Sequence, residues 1–231
     1  MADQTLVRRE PRISVNKLGE YMAASAMRRR RIVREQKTPP QFMVARYTEA
    51  NEAITSFLAS GARDDGILLK TIERLNDAEP KSEWDAQRLE LCIEALENML
   101  EIEDYSFLEG ACGEPARSDA PKLDIAGVAI SVRPEVILNV PDGATNRTVG
   151  AVKLYLGKTI PLTEEAGAYV GTLVQLYVVE ALHAGEAADF KKCGVLDVFA
   201  QRFHAAPRAY ITRRREIEAA CQEISRAWAA V

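Results

Sequence analysis

Between Leu123 and Leu182 the hydrophobic pattern of this chain changes character, and that change constrains its fold more than any other feature. Three short runs, LDIAGVAISV, RPEVILNV and VGAVKLYL, are rich in Val, Ile and Leu; an apolar helical stretch, Ala168 to Leu182, follows. Runs of this length and composition favour strands, because Cβ-branched side chains pack well on a pleated surface. Pro134 and the turn signal Pro141-Asp142-Gly143 punctuate them.

Everything before Gly110 has a helical period. Ser14 is a candidate N-cap for a helix running towards Lys37, with Leu18, Tyr21 and Met22 on one face; Thr38-Pro39-Pro40 stops it. A second helix, Phe42 to Ser60, carries Met43, Tyr47, Ile54, Phe57 and Leu58. A third stretch holds Ile67, Leu68, Ile72 and Leu75. A fourth helix, Glu83 to Tyr105, repeats Leu89, Cys92, Ile93, Leu96 and Leu100. Gly110 to Pro121 reads as a linker. Gly194 to Phe203 reads as a strand or strand pair, and a last helix from Pro207 aligns Ile217, Cys221, Ile224 and Trp228. The expected fold is α+β: a helical N-terminal half, then a small mixed sheet with flanking helices. Residues 1–12 are expected to form a flexible arm, 13–109 a helical region and 122–231 an α/β core, together one compact domain.

A formal charge of −4 excludes a protein that coats nucleic acid over its whole surface, while leaving room for a local basic patch. The four cysteines are widely spaced and form no CxxC pair, which disfavours structural zinc and suggests reduced thiols. The N-terminal segment MADQTLVRREPR has no apolar h-region, and no run of about 18 apolar residues occurs, so a cytoplasmic location and no membrane partner are expected.

Two constellations carry chemistry. Glu135 heads the second run and Lys153 lies in the third, on the same face as Ala151 and Tyr155 by strand alternation. A carboxylate and a lysine on neighbouring strands could hold a divalent metal and orient an attacking water, since hard cations prefer carboxylate oxygen. The second is Arg28 to Arg31 with Arg34 and Lys37. On a helix Arg30, Arg34 and Lys37 align, as do Arg28 and Arg31, which suits either phosphate contacts or a solvated face paired with acids elsewhere. Arg213, Arg214 and Arg215 form another basic cluster. No GxxxxGK[ST], GxGxxG or GxSxG motif is present. His183 reads as a core histidine, and His204 as a residue at a strand end.

The strand, strand, strand, helix layout with Glu135 and Lys153 resembles the PD-(D/E)XK nuclease superfamily. Tyr169, Gln175 and Tyr177 resemble the Gln and Tyr that RecB-like branches carry on the following helix, although Gln175 and Tyr177 are two apart rather than one turn. Ser14, Leu18 and Tyr21 resemble the S-x-x-x-L-x-x-Y helix of the same branches. The resemblance covers residues 13–37 and 123–182. It implies a restriction-endonuclease-like core in which Glu135 binds Mg²⁺ or Mn²⁺ and Lys153 stabilises the transition state. Gln175 and Tyr177 would shape the site, and Arg28, Arg30, Arg31 and Arg34 would contact the phosphates of DNA or RNA. The family's acid two residues before the lysine is Ala151 here. Asp124, Glu164 or Glu165 are candidates for a relocated acid, and Glu97 or Glu101 for a further acid on a preceding helix. Two functions therefore stand side by side: a nucleic-acid-binding, metal-dependent nuclease, and a non-catalytic module acting through a homodimer or a protein partner.

Overall fold

Ser14 caps the first helix, α1 (Val15–Ala23), accepting the N–H of Lys17 on its hydroxyl. The helix does not continue to Lys37. Ala24 and Ser25 are extended, and Ser25 caps a second helix, α2 (Ala26–Lys37), by accepting the N–H of Arg28. A serine that satisfies an orphan N–H is what allows a new helix to start at an angle to the old one. The computed structural model describes residues 7–39, 46–117, 119, 121–142, 146–182 and 187–230. Helices α3 (Thr48–Ala59), α4 (Gly66–Asn76) and α5 (Glu83–Leu100) follow, with α6 (Glu164–Tyr177) and α7 (Ile211–Ala230) in the second half. Phe42 and Met43, expected in the second helix, lie outside the described residues. The α5 helix stops at Leu100 rather than Tyr105, whose hydroxyl folds back to donate to the Met99 carbonyl at 2.7 Å.

The strands are β1 (Arg12–Ser14), β2 (Cys112–Pro115), β3 (Leu123–Ile125), β4 (Val128–Ser131), β5 (Val136–Asp142), β6 (Asn146–Tyr155), β7 (Ala187–Asp197) and β8 (Arg202–Ala205). They form a five-stranded sheet in the order β2-β5-β6-β7-β8 and a three-stranded sheet in the order β1-β4-β3. LDIAGVAISV is thus a hairpin in the smaller sheet and not one strand of the larger. Ala126 and Gly127 turn it with φ of 51° and 76°, and Asp124 accepts the Gly127 N–H on its carboxylate. The place beside β5 is taken by β2, from the stretch that reads as a linker. β2, β5 and β6 are successively antiparallel; α6 then crosses over to β7, which runs parallel to β6. The chain is α+β.

Strand alternation divides the core between the two faces of the large sheet. Ile137, Val149, Ala151 and Val195 face α1, α6 and α7, where Leu18, Val170, Leu173, Val174, Ile217 and Ile224 are buried. Val136, Leu138, Val152, Leu154 and Leu196 face α3, α4 and α5, packing with Ile54, Phe57, Leu58, Leu96 and Met99. Each of these larger side chains stabilises the fold by roughly 1.5–3 kcal/mol. Gly19 lets α1 approach α6: a Cβ there would lie 2.4 Å from Val170 Cγ2 and 3.0 Å from the Ala166 carbonyl oxygen. Cys92, Cys193 and Cys221 are free thiols in these cores, and burial pushes Cys193 and Cys221 up to about 12. Among the described residues no helix is long and apolar enough to cross a membrane.

Candidate functional site

The β5–β6 register brings Glu135 and Lys153 together at the end of the central strand. Val136 pairs with Val152, and the Glu135 N–H donates to the Val152 carbonyl at 2.8 Å. Lys153 Nζ donates to Glu135 Oε1 at 2.6 Å and to the Arg133 carbonyl at 2.8 Å. Glu135 Oε2 accepts the Leu154 N–H at 2.6 Å, and Asn51 Nδ2 approaches Oε1 at 3.4 Å. The two side chains are only 15% and 13% exposed, so this is a partly desolvated, charge-assisted pair rather than a surface ion pair. Asn16 Nδ2 donates to the Leu154 carbonyl at 3.0 Å, so side chains hold both backbone groups of Leu154. Arg133, which presents its carbonyl to the lysine, sits at φ 44°, in the left-handed region that a non-glycine residue rarely adopts.

Hard divalent cations take carboxylate oxygen, and among the described residues Glu135 is the one carboxylate paired with Lys153. Ala151 is fully buried, between Ile137 and Cys193 on the flanking strands. The acids that sequence offers as replacements are engaged or exposed elsewhere. Asp124 holds its hairpin turn, Glu164 pairs with Arg202, and Glu101 accepts from Gln201 Nε2 at 2.6 Å. Glu97 and Glu165 are exposed on their helices. Asn51 of α3 is the residue of a preceding helix that reaches Glu135, an amide and not an acid. Among the described residues no group of three His, Cys, Asp or Glu side chains is placed to hold a metal ion. Glu135 contributes one carboxylate whose two oxygens are already used, and an ammonium faces it; these residues do not fit a Mg²⁺ or Mn²⁺ centre.

Gln175 and Tyr177 make no hydrogen bond to Glu135 or Lys153. The α6 helix starts beyond the C-terminal end of β6 and returns to the start of β7, where Ala187 pairs with Thr148. Tyr177 is fully buried, and burial raises its pKa; among the described residues neither its hydroxyl nor the buried Gln175 Oε1 has a hydrogen-bond partner. Tyr169 faces α7 instead, donating to Glu216 at 2.6 Å under the Arg213 guanidinium. Of the opening helix, Ser14 is a cap, Leu18 is core and Tyr21 donates to Glu223 at 3.3 Å.

The arginines of α2 divide into two groups. Arg28 donates to Glu20 at 2.6 Å and also pairs with Glu35, and Arg31 donates to Glu35 at 2.7 Å. Arg29 binds the carbonyls of Tyr21 and Met22 and covers the Tyr21 ring. Arg30 and Arg34 are exposed, and among the described residues neither guanidinium has a partner. Arg8 is anchored beside them, with its N–H on the Lys37 carbonyl and its guanidinium on the Gln36 carbonyl. Burial and the neighbouring Arg12 charge both depress its pKa. Arg214 pairs with Glu180 at 2.6 Å, so the second basic cluster is partly neutralised. His204 is buried with Nε2 unpartnered, and desolvation lowers its pKa; His183 lies outside the described residues.

Asn16 and Asn51 are the site residues that sequence spacing misses. The weak signal available is an asparagine inside a helix, where it is a poor helix former. No protein-family model matches the chain, and no curated protein matches its sequence.

Proposed function

We propose that this chain binds nucleic acid through α2, on a nuclease-like core that does not cut. The observation that carries binding is the pair Arg30 and Arg34, exposed and without a partner among the described residues. They stand one helical turn apart on the exposed face, with the anchored Arg8 and Arg12 adding positive charge at the helix end. Arg28 and Arg31, spent on Glu20 and Glu35, have roles within the fold. Support for the nuclease-like core is the order β2, β5, β6, α6, β7, with an acid just before β5 beside a lysine on β6. What supports a core that does not cut is the donor set: one engaged carboxylate, with Ala151 where the resembling family has a second.

Arginine–phosphate contacts give affinity without sequence preference and release counterions. Binding of a labelled duplex, followed by fluorescence anisotropy across a salt series, should be salt-steep. The double variant Arg30→Ala/Arg34→Ala should flatten the log–log slope by about 2, roughly one unit per phosphate contact. No binding by the wild-type chain even at low salt would overturn the nucleic-acid assignment. Mg²⁺- or Mn²⁺-dependent cleavage that Lys153→Ala abolishes would overturn the non-cutting half.

A further inference from the structure

A cavity of about 490 Å³ opens at the β7–β8 edge of the large sheet, and neither Glu135, Lys153 nor a residue of α2 lines it. One wall is the Phe107–Phe203 pair, stacked with ring centroids 4.0 Å apart and planes 12° from parallel. Phe107 is buried and Phe203 half-buried, so an edge of the pair is left to the opening. Three cations surround it. Lys192 is tied to the carbonyls of Phe107 and Glu109, and Arg202 to Glu164, while Lys191 is exposed with no side-chain partner among the described residues. Asp104 and Asp189 line it too, each accepting a nearby backbone N–H, of Ser106 and Lys191, on a carboxylate oxygen. The strand neighbour also runs out here: β8 pairs with β7 only over Gly194–Asp197, so no strand among the described residues covers that edge of β7 upstream.

We propose that this cavity is a nucleotide site, taking one base with its phosphate. The volume falls within the roughly 300–1,000 Å³ typical of small-ligand sites. An aromatic wall, an exposed ammonium and carboxylate acceptors match the three faces of a nucleotide: its flat ring, its phosphate, and its amino or hydroxyl donors. The exposed ring edge can meet the π-face of any base in an edge-to-face contact. A duplex hides its bases, so the source is either free nucleotide or an unpaired strand. This goes beyond the α2 reading and stands on different residues.

Calorimetric titration of the full chain with AMP, and separately with adenosine and with inorganic phosphate, tests the site. AMP is expected to bind, with each half markedly weaker. Lys191→Glu should weaken AMP by about tenfold or more, the scale of one lost charge-assisted hydrogen bond. Phe203→Leu keeps an apolar wall for packing and should weaken AMP and adenosine alike while leaving the phosphate response unchanged. A labelled single-stranded DNA that competes with AMP assigns the site to an unpaired strand, and failure to compete assigns it to free nucleotide. No AMP binding at millimolar concentration, or binding that neither variant alters, overturns the proposal. A chain that fails on duplex DNA yet binds AMP through Lys191 keeps this site and loses the α2 assignment.

Discussion

If the Glu135–Lys153 pair belongs to the fold rather than to a reaction, breaking it should cost stability. Glu135→Gln keeps the size and the acceptor for the Leu154 N–H, but removes the charge that faces Lys153. The ammonium, 15% exposed, then has only the Arg133 carbonyl. Losing one partner of a fully buried pair costs about 3–5 kcal/mol, and the remaining carbonyl and water access bring this site to about 2–3 kcal/mol. Lys153→Met leaves a carboxylate that still accepts from Leu154 and Asn51, so its cost should be smaller, about 2 kcal/mol. The double variant removes both charges and keeps the Leu154 hydrogen bond, at about 1 kcal/mol. Singles that cost more than the double are the signature of a coupled pair, with an interaction of about 3 kcal/mol. Urea denaturation followed by the fluorescence of Trp84 and Trp228 gives all three values. Singles within about 0.5 kcal/mol of wild type, or an additive double, would refute the structural role and return the pair to function.

Two further outcomes follow from the same geometry. Ala151→Asp puts a carboxylate at a fully buried position between Ile137 and Cys193, and should lower stability by about 3 kcal/mol or more in urea denaturation. Recovery of that loss on adding Mg²⁺ would show that a metal site can assemble, contrary to the donor set described. His204 is held below its ordinary pKa by burial, against the opposing pull of Glu164 and Asp197 and with the help of Arg202. Its neutral form is the folded one, so the stability it confers is complete above the unfolded value of about 6.5 and is lost as pH falls below it. Asp197, held above its usual range by burial, has the opposite sign. Comparing wild type with His204→Gln isolates the imidazole: the stability gap between them should change from pH 7 to about pH 5, and a constant gap would refute the assignment.

Local signals survived the comparison with the structure well. The N-cap at Ser14, the helical stripes of α3 to α5 and α7, and the strand character of the Val/Ile/Leu runs depend on near neighbours. The errors are also local in origin. Ser25 is a second cap inside what reads as one helix, and Ala126-Gly127 turns what reads as one strand. The Cys112–Pro115 segment, polar and rich in turn formers, becomes a strand because β5 offers its edge.

The sequence by itself determined the α+β class, the pairing of an acid strand with a lysine strand, and the absence of an acid at position 151. These follow from period, propensity and residue identity. Only the tertiary structure decided which groups meet. Asn51 reaches Glu135 across 84 positions, and Trp228 receives Lys37 across 191. Glu20 and Glu35 take up Arg28 and Arg31 and leave Arg30 and Arg34 without a partner among the described residues, although all four arginines look alike in the sequence. Charge and hydrogen-bond pairing depend on distances of a few ångströms between residues distant along the chain, and spacing along the chain does not encode those distances.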